Sequence, residues 1–146
     1  MNIFKNFYNK IILRKKIIFI VDDNSVYSKS LHGFLTTRYP NTKIETFSNG
    51  ESCLIALFKN PTIVIMDYIL NTDDSNAADG LSIIQKIKAS SNKTNIILLS
   101  AQTDIDVFVK AISIYGCTYL KKDEQAFKKV DHFVKEIFHS SKYPSL

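Results

Sequence analysis

A chain of 146 residues has room for one domain with a proper core and too little for two ordinary ones. Its 45% apolar content is that of a globular protein, and no apolar run approaches the ~18 residues of a membrane span. The net charge of +5 is local: Lys5, Lys10, Arg14, Lys15 and Lys16 carry it, and the other 14 Lys/Arg balance the 14 Asp/Glu. A DNA-binding domain more often spreads basic charge over a face of its fold, so direct contact with nucleic acid is not expected.

Residues 1–15 form a basic extension. Phe4, Phe7, Tyr8, Ile11 and Ile12 have the spacing of one helical face. Such a helix could fold onto the body, meet a second copy or partner, or lie on a membrane surface. Polar residues interrupt it too often for a signal-peptide core.

Ile17 to Val21 is five apolar residues in a row, which predicts a buried parallel strand. It runs into Asp22-Asp23-Asn24, and Asn24 or Ser25 can cap a helix to about Arg38. That helix is expected to turn Val26, Leu31, Phe34 and Leu35 inward. Tyr39-Pro40-Asn41 breaks it. Lys43 to Phe47 alternates like an edge strand. Glu51 to Lys59 reads as a helix with Leu54, Ile55 and Phe58 inward.

Thr62 to Asp67 is the next strand, β-branched and ending in a carboxylate. A polar loop, residues 71–79, leads to Gly80 and a helix through Ile83, Ile84 and Ile87. Asn95 to Leu99 is a further buried strand, followed by Ser100. A helix from about Asp104 to Tyr115 ends at Gly116. Cys117 to Leu120 is a last strand, followed by Lys121 and Lys122. A final helix spans about Glu124 to Phe138, and residues 140–146 are a polar tail. Cys53 and Cys117 sit in apolar surroundings and are expected buried and reduced.

Strand then helix, five times over, predicts an α/β doubly wound parallel sheet with helices on both faces. The strand ends then share one edge, where such folds bind their ligands. Asp22, Asp23, Asp67, Ser100 and a lysine would line it. Clustered carboxylates repel one another unless a cation joins them. Oxygen ligands with room for water suit Mg²⁺. A lysine and a hydroxyl beside them suit a phosphoryl group, with a carboxylate as nucleophile.

The segments IIFIVDDN (17–24), FSNGES (47–52), IVIMD (63–67), DG (79–80), IILLSA (96–101) and YLKKD (119–123) occur in that order. The set resembles the receiver domain of two-component response regulators, over about residues 16–139. The resemblance implies a flavodoxin-like sheet of order 2-1-3-4-5 and Asp67 as phosphoacceptor. Asp22, Asp23, Asp67 and the backbone carbonyl of Ile69 would be the Mg²⁺ ligands. Ser100 would be the switch hydroxyl and Tyr119 the switch aromatic. Counting three residues from Tyr119 gives Lys122 as the site lysine, with Lys121 as runner-up. Asp123 stands where many relatives have proline, so a trans bond is expected before it.

In other respects the chain departs from the family pattern. Gly80 lies thirteen residues past Asp67, so the intervening loop is about five residues longer than usual. It is not a calcium-binding EF-hand loop: Ala77 and Lys86 fall where ligands are required. Ile69 and Gln102 occupy positions by which relatives tune dephosphorylation. Ile69 cannot hydrogen-bond water, so slow loss of phosphate is expected.

The implied function is a non-enzymatic, cytoplasmic signalling switch. Its implied partners are a sensor histidine kinase or phosphotransfer protein and a downstream protein target, with a homodimer as a further option. A membrane partner is not expected. Alternatives are a pseudo-receiver that does not turn over phosphate, or the receiver part of a longer regulator. An aspartyl phosphatase is disfavoured, because Ile69 stands where a second acid is needed.

Overall fold

The computed structural model describes residues 3–6, 15–70, 79–101 and 104–140. The body alternates strand and helix: β1 Ile17–Val21, α1 Ser25–Arg38, β2 Lys43–Phe47, α2 Gly50–Ile55, β3 Ile63–Asp67, α3 Gly80–Ser90, β4 Asn95–Ser100, α4 Ile105–Ser113, β5 Thr118–Lys121 and α5 Ala126–Ser140. The strands pair in parallel in the order β2-β1-β3-β4-β5, as expected.

Strand side chains alternate between faces, and the continuous apolar runs therefore feed two cores. Phe19, Val21, Val64, Met66, Ile96 and Leu98 pack with Cys53 of α2, with Ile83, Ile84 and Ile87 of α3, and with Val107 and Ala111 of α4. Ile18, Ile20, Ile63, Ile65, Ile97 and Leu99 pack with Leu31 and Leu35 of α1 and with Val130, Val134 and Phe138 of α5. Burying one such Ile or Leu contributes about 1.5–3 kcal/mol. Cys53 and Cys117 are both buried free thiols, and burial pushes their pKa values up to about 12 and about 11.

Helix starts follow their caps. Asn24 Oδ1 accepts from the amides of Val26 and Tyr27, Asn49 from Ser52, Asp79 from Ser82, and Asp104 from Asp106 and Val107. Gly116, with φ +63°, ends the turn after α4.

Several inward assignments are corrected. Val26 is 74% exposed while Ser28 is buried: Ser28 stands three residues before the buried Leu31, on its face, whereas Val26 stands five before it, roughly 140° around the helix. Ile55 and Phe58 are also exposed. After Ile55 the chain tightens into a 3₁₀ turn, Ala56–Lys59. At about three residues per turn, that rotates Phe58 off the buried face. Several ends move by one or two residues; in particular Ser100 is the last residue of β4.

Most of the basic extension, residues 7–14, lies outside the described residues, and so does the loop 71–78. Residues 3–6 are helical, with Ile3 and Phe4 exposed. No helix among the described residues is long and apolar enough to cross a membrane.

Candidate functional site

Because every strand runs the same way, their carboxyl ends meet on one edge. Asp22 and Asp23 follow β1, Asp67 ends β3, Ser100 ends β4 and Lys122 follows β5. The chain turns from β1 to β2 on one side and to β3 on the other, so Asp22 and Asp67 flank the topological switch point. Backbone bonds continue the ladders past the strand ends and hold this edge. Asp22 N donates to Phe47 O (3.0 Å), Tyr68 N to Leu99 O (2.8 Å) and Lys122 N to Ser100 O (2.8 Å).

Asp22 and Asp67 are buried, 3% and 8% exposed, and Asp23 is exposed. One carboxylate oxygen from each lies within 4.8 Å of the other two. At about 4 Å, two like charges repel by roughly 4 kcal/mol at an effective dielectric of 20. Lys122 offsets part of this. Its Nζ stands 2.7 Å from Asp22 Oδ2 and 3.1 Å from Asp67 Oδ2. Lys121, the runner-up, is exposed. The Lys122–Asp123 peptide is trans, as are the others among the described residues.

The two sides of the ion pair respond differently to burial. Burial raises the Asp67 carboxyl above its ordinary range; Lys122 opposes this without cancelling it, and Asp22 reinforces it. Burial works to lower Lys122, but the hydrogen bond to Asp22 and the charges of Asp67 and Asp22 outweigh it and hold the ammonium above its usual value. Asp67 Oδ1 also accepts from Ile69 N at 3.3 Å, and Asp22 Oδ1 from Asn24 N at 2.8 Å.

Ser100 is 1% exposed, with its carbonyl tied to Lys122 N. Tyr119 is half-buried and meets Phe108 of α4 edge-on, ring centroids 5.3 Å apart. Gln102 lies outside the described residues.

Sequence reasoning missed one contact and the reason for one residue. The Tyr27 ring lies against Lys122, with Nζ 4.1 Å from its centroid. The available signal was its place three residues after the Asn24 cap, in the first turn of a helix that starts at this edge. In the sequence Gly80 stands out for its Asp-Gly pair and its distance from Asp67, not for what its missing side chain permits. A Cβ there would lie 2.8 Å from Tyr68 O, 2.9 Å from Tyr68 Cα and 3.1 Å from Asp67 O. Only glycine lets α3 approach the end of β3 so closely.

Among the described residues the cluster offers three carboxylates and neither sulfur nor imidazole. Such hard oxygen donors fit Mg²⁺ better than softer metals. One ammonium among three carboxylates also leaves negative charge for a cation to balance.

The model of the "Response regulator receiver domain" family matches residues 18–132. Curated relatives include the DNA-binding transcriptional regulator NtrC of Salmonella typhimurium and of Escherichia coli K12. Each is 29% identical over 115 residues, a match covering 75% of this chain. That match spans only 22% of the length of those relatives. Among solved structures, a two-component response regulator from Clostridium difficile superimposes with a TM-score of 0.75 at 21% identity, covering 88% of this chain and all of that one. A CheY-like receiver domain protein from Methanospirillum hungatei gives 0.71 at 16% identity, covering 88% and 98%. With most of its length under that family model, the chain belongs to the response regulator receiver domain family.

Proposed function

We propose that the chain is a phosphorylation-dependent switch of a two-component phosphorelay, with Asp67 as phosphoacceptor. The observation that carries this reading is the Lys122 ammonium bridging two buried carboxylates, Asp22 and Asp67, within a three-carboxylate cluster. An Asp67 oxygen attacks phosphorus, the bond from phosphorus to the donor's imidazole nitrogen breaks, and the imidazole leaves. The product is an aspartyl phosphate. Lys122, already beside Asp67, pairs with the arriving phosphoryl oxygens. Asp22, Asp23, Asp67 and the Ile69 carbonyl would hold Mg²⁺, which when bound neutralises charge on the transferring group.

Ser100, buried at the end of β4, then donates its hydroxyl to the phosphoryl group. Its movement is relayed to Tyr119 and to the surface of α4, β5 and α5. Phosphorylation in this scheme biases an existing equilibrium. The donor is a sensor histidine kinase or phosphotransfer protein, the output is contact with a downstream protein, and the setting is cytoplasmic. DNA binding is named for the NtrC relatives, and this reading does not extend it to the present chain.

The test is acetyl phosphate with Mg²⁺, read by phosphate-affinity gel mobility. The wild type is expected to shift and Asp67→Ala to stay in place. A wild type that never shifts, or an Asp67→Ala that does, overturns the proposal.

A further inference from the structure

Tyr27 is fixed on both sides. Its amide donates to the cap Asn24 Oδ1 at 3.0 Å. Its ring meets the edge of Phe127 on α5, centroids 5.3 Å apart at 77°, and Phe127 in turn packs on Phe34. The ring is therefore wedged between α1 and α5 with a face presented to the site. On that face sits Lys122 Nζ, 4.1 Å from the centroid. The Tyr27 hydroxyl is buried and has no hydrogen-bond partner among the described residues. The ring's position is thus not explained by its polar end.

An ammonium has three donors. Two of those on Lys122 meet Asp22 and Asp67. Both acceptors are also the carboxylates a divalent cation would take. A cation arriving there competes with Lys122 for Asp22 and repels it. An aromatic face attracts the ammonium but is a poor ligand for a hard, hydrated ion. It is a neighbour that Lys122 need not share with the ion.

We propose that Tyr27 is a positioning residue. Its ring holds the Lys122 ammonium beside Asp67 when Asp22 is given up to a metal ion. This deepens the phosphoacceptor reading and rests on it. The ring, and not the hydroxyl, does the work, so Phe should replace Tyr27 and Leu should not.

The experiment uses the full chain and three proteins: wild type, Tyr27→Phe and Tyr27→Leu. The first readout needs no phosphorylation. In wild type and Tyr27→Phe, the Lys122 ε-methylene protons are shifted upfield by the ring and stay so through a Mg²⁺ titration. In Tyr27→Leu they lie near ordinary lysine positions. The second readout is the rate of phosphorylation by acetyl phosphate at saturating Mg²⁺. Tyr27→Leu should be roughly 3- to 10-fold slower, the range expected for a partly desolvated cation–π contact, and Tyr27→Phe should match wild type. Tyr27→Leu at the wild-type rate, or Tyr27→Phe as slow as Tyr27→Leu, overturns the proposal. So does an unshifted Lys122 methylene in the wild type, which decides the matter even if Tyr27→Leu does not fold. A wild type with the ring shift that takes no phosphate refutes the phosphoacceptor reading instead, and the positioning role falls with it.

Discussion

Gly80 shows how one missing carbon positions a carboxylate. A Cβ at residue 80 would press on the backbone of Tyr68 and Asp67 at 2.8–3.1 Å. Those atoms are the end of β3 and cannot swing away as a side chain can. Gly80→Ala should therefore cost about 1–3 kcal/mol by overpacking, even though alanine favours a helix by up to ~1 kcal/mol. Chemical denaturation measures this directly, and phosphorylation of Asp67 should slow in the same variant. A variant as stable as wild type would mean that the close approach is relaxed in solution. Ile69 supports a different prediction at the same scale. Its amide holds Asp67 Oδ1, but its side chain has nothing to orient a water. Ile69→Asn adds a donor and acceptor two residues from Asp67, the proposed phosphoacceptor. The phosphorylated lifetime should fall severalfold, as followed by loss of the shifted gel band. An unchanged lifetime would show that water reaches the phosphate by another path.

Between elements, α1 and α5 are joined at the end of α1 by a polar tether that the chain's periodicity does not announce. Tyr39, just past α1, donates its hydroxyl to Asp131 Oδ1 on α5 at 2.6 Å. Arg38 Nε and Lys135 Nζ stand 3.6 and 3.1 Å from Asp131 Oδ2. Burial works to raise the Asp131 carboxyl, but the hydrogen bonds from Tyr39 and Lys135 and the charges of Lys135 and Arg38 outweigh it, so it lies below the ordinary range. A depressed carboxylate stabilises the fold above its unfolded value of ~3.9, and that contribution is lost as pH falls through the folded value. Asp131→Asn should lower stability by about 1–2 kcal/mol at pH 7. The gap to wild type should close as the pH drops below about 4. A gap that is constant with pH would assign the loss to packing and not to charge. The helices were located from caps and breakers, which act within a few residues. Their inward faces were harder to read. In α1 the face is set by Leu31 and Leu35, with which Ser28 is in phase and Val26 is not; in α2 a change of helix type rotates Phe58 out. The tether escaped for a related reason: 92 residues separate its two members, and nothing in either local sequence marks the other.

Across the whole molecule, the sheet was legible because its three central strands, β1, β3 and β4, are buried on both faces and so read as apolar runs. Once five parallel strands are granted, the topology alone carries Asp22, Asp67, Ser100 and Lys122 to one edge. The Tyr27 ring was not legible, because its place depends on how α1 and α5 pack. The edge as assembled has a charge imbalance. Among the described residues, three carboxylates share one nearby ammonium, a net charge of −2 when all are ionised. The folded state gathers this charge and an unfolded chain disperses it, so a cation that binds the cluster must favour folding. At a free Mg²⁺ concentration ten times its dissociation constant, the stabilisation is about 1.4 kcal/mol. For a domain of this size that raises the Tm by roughly 3–6 °C. The rise should vanish with EDTA and be reduced in Asp23→Asn. NaCl at matched ionic strength acts only by screening and should reproduce little of it. If NaCl gave the full rise, or if Asp23→Asn kept it, the carboxylates at this edge would be a source of diffuse charge and not a metal site.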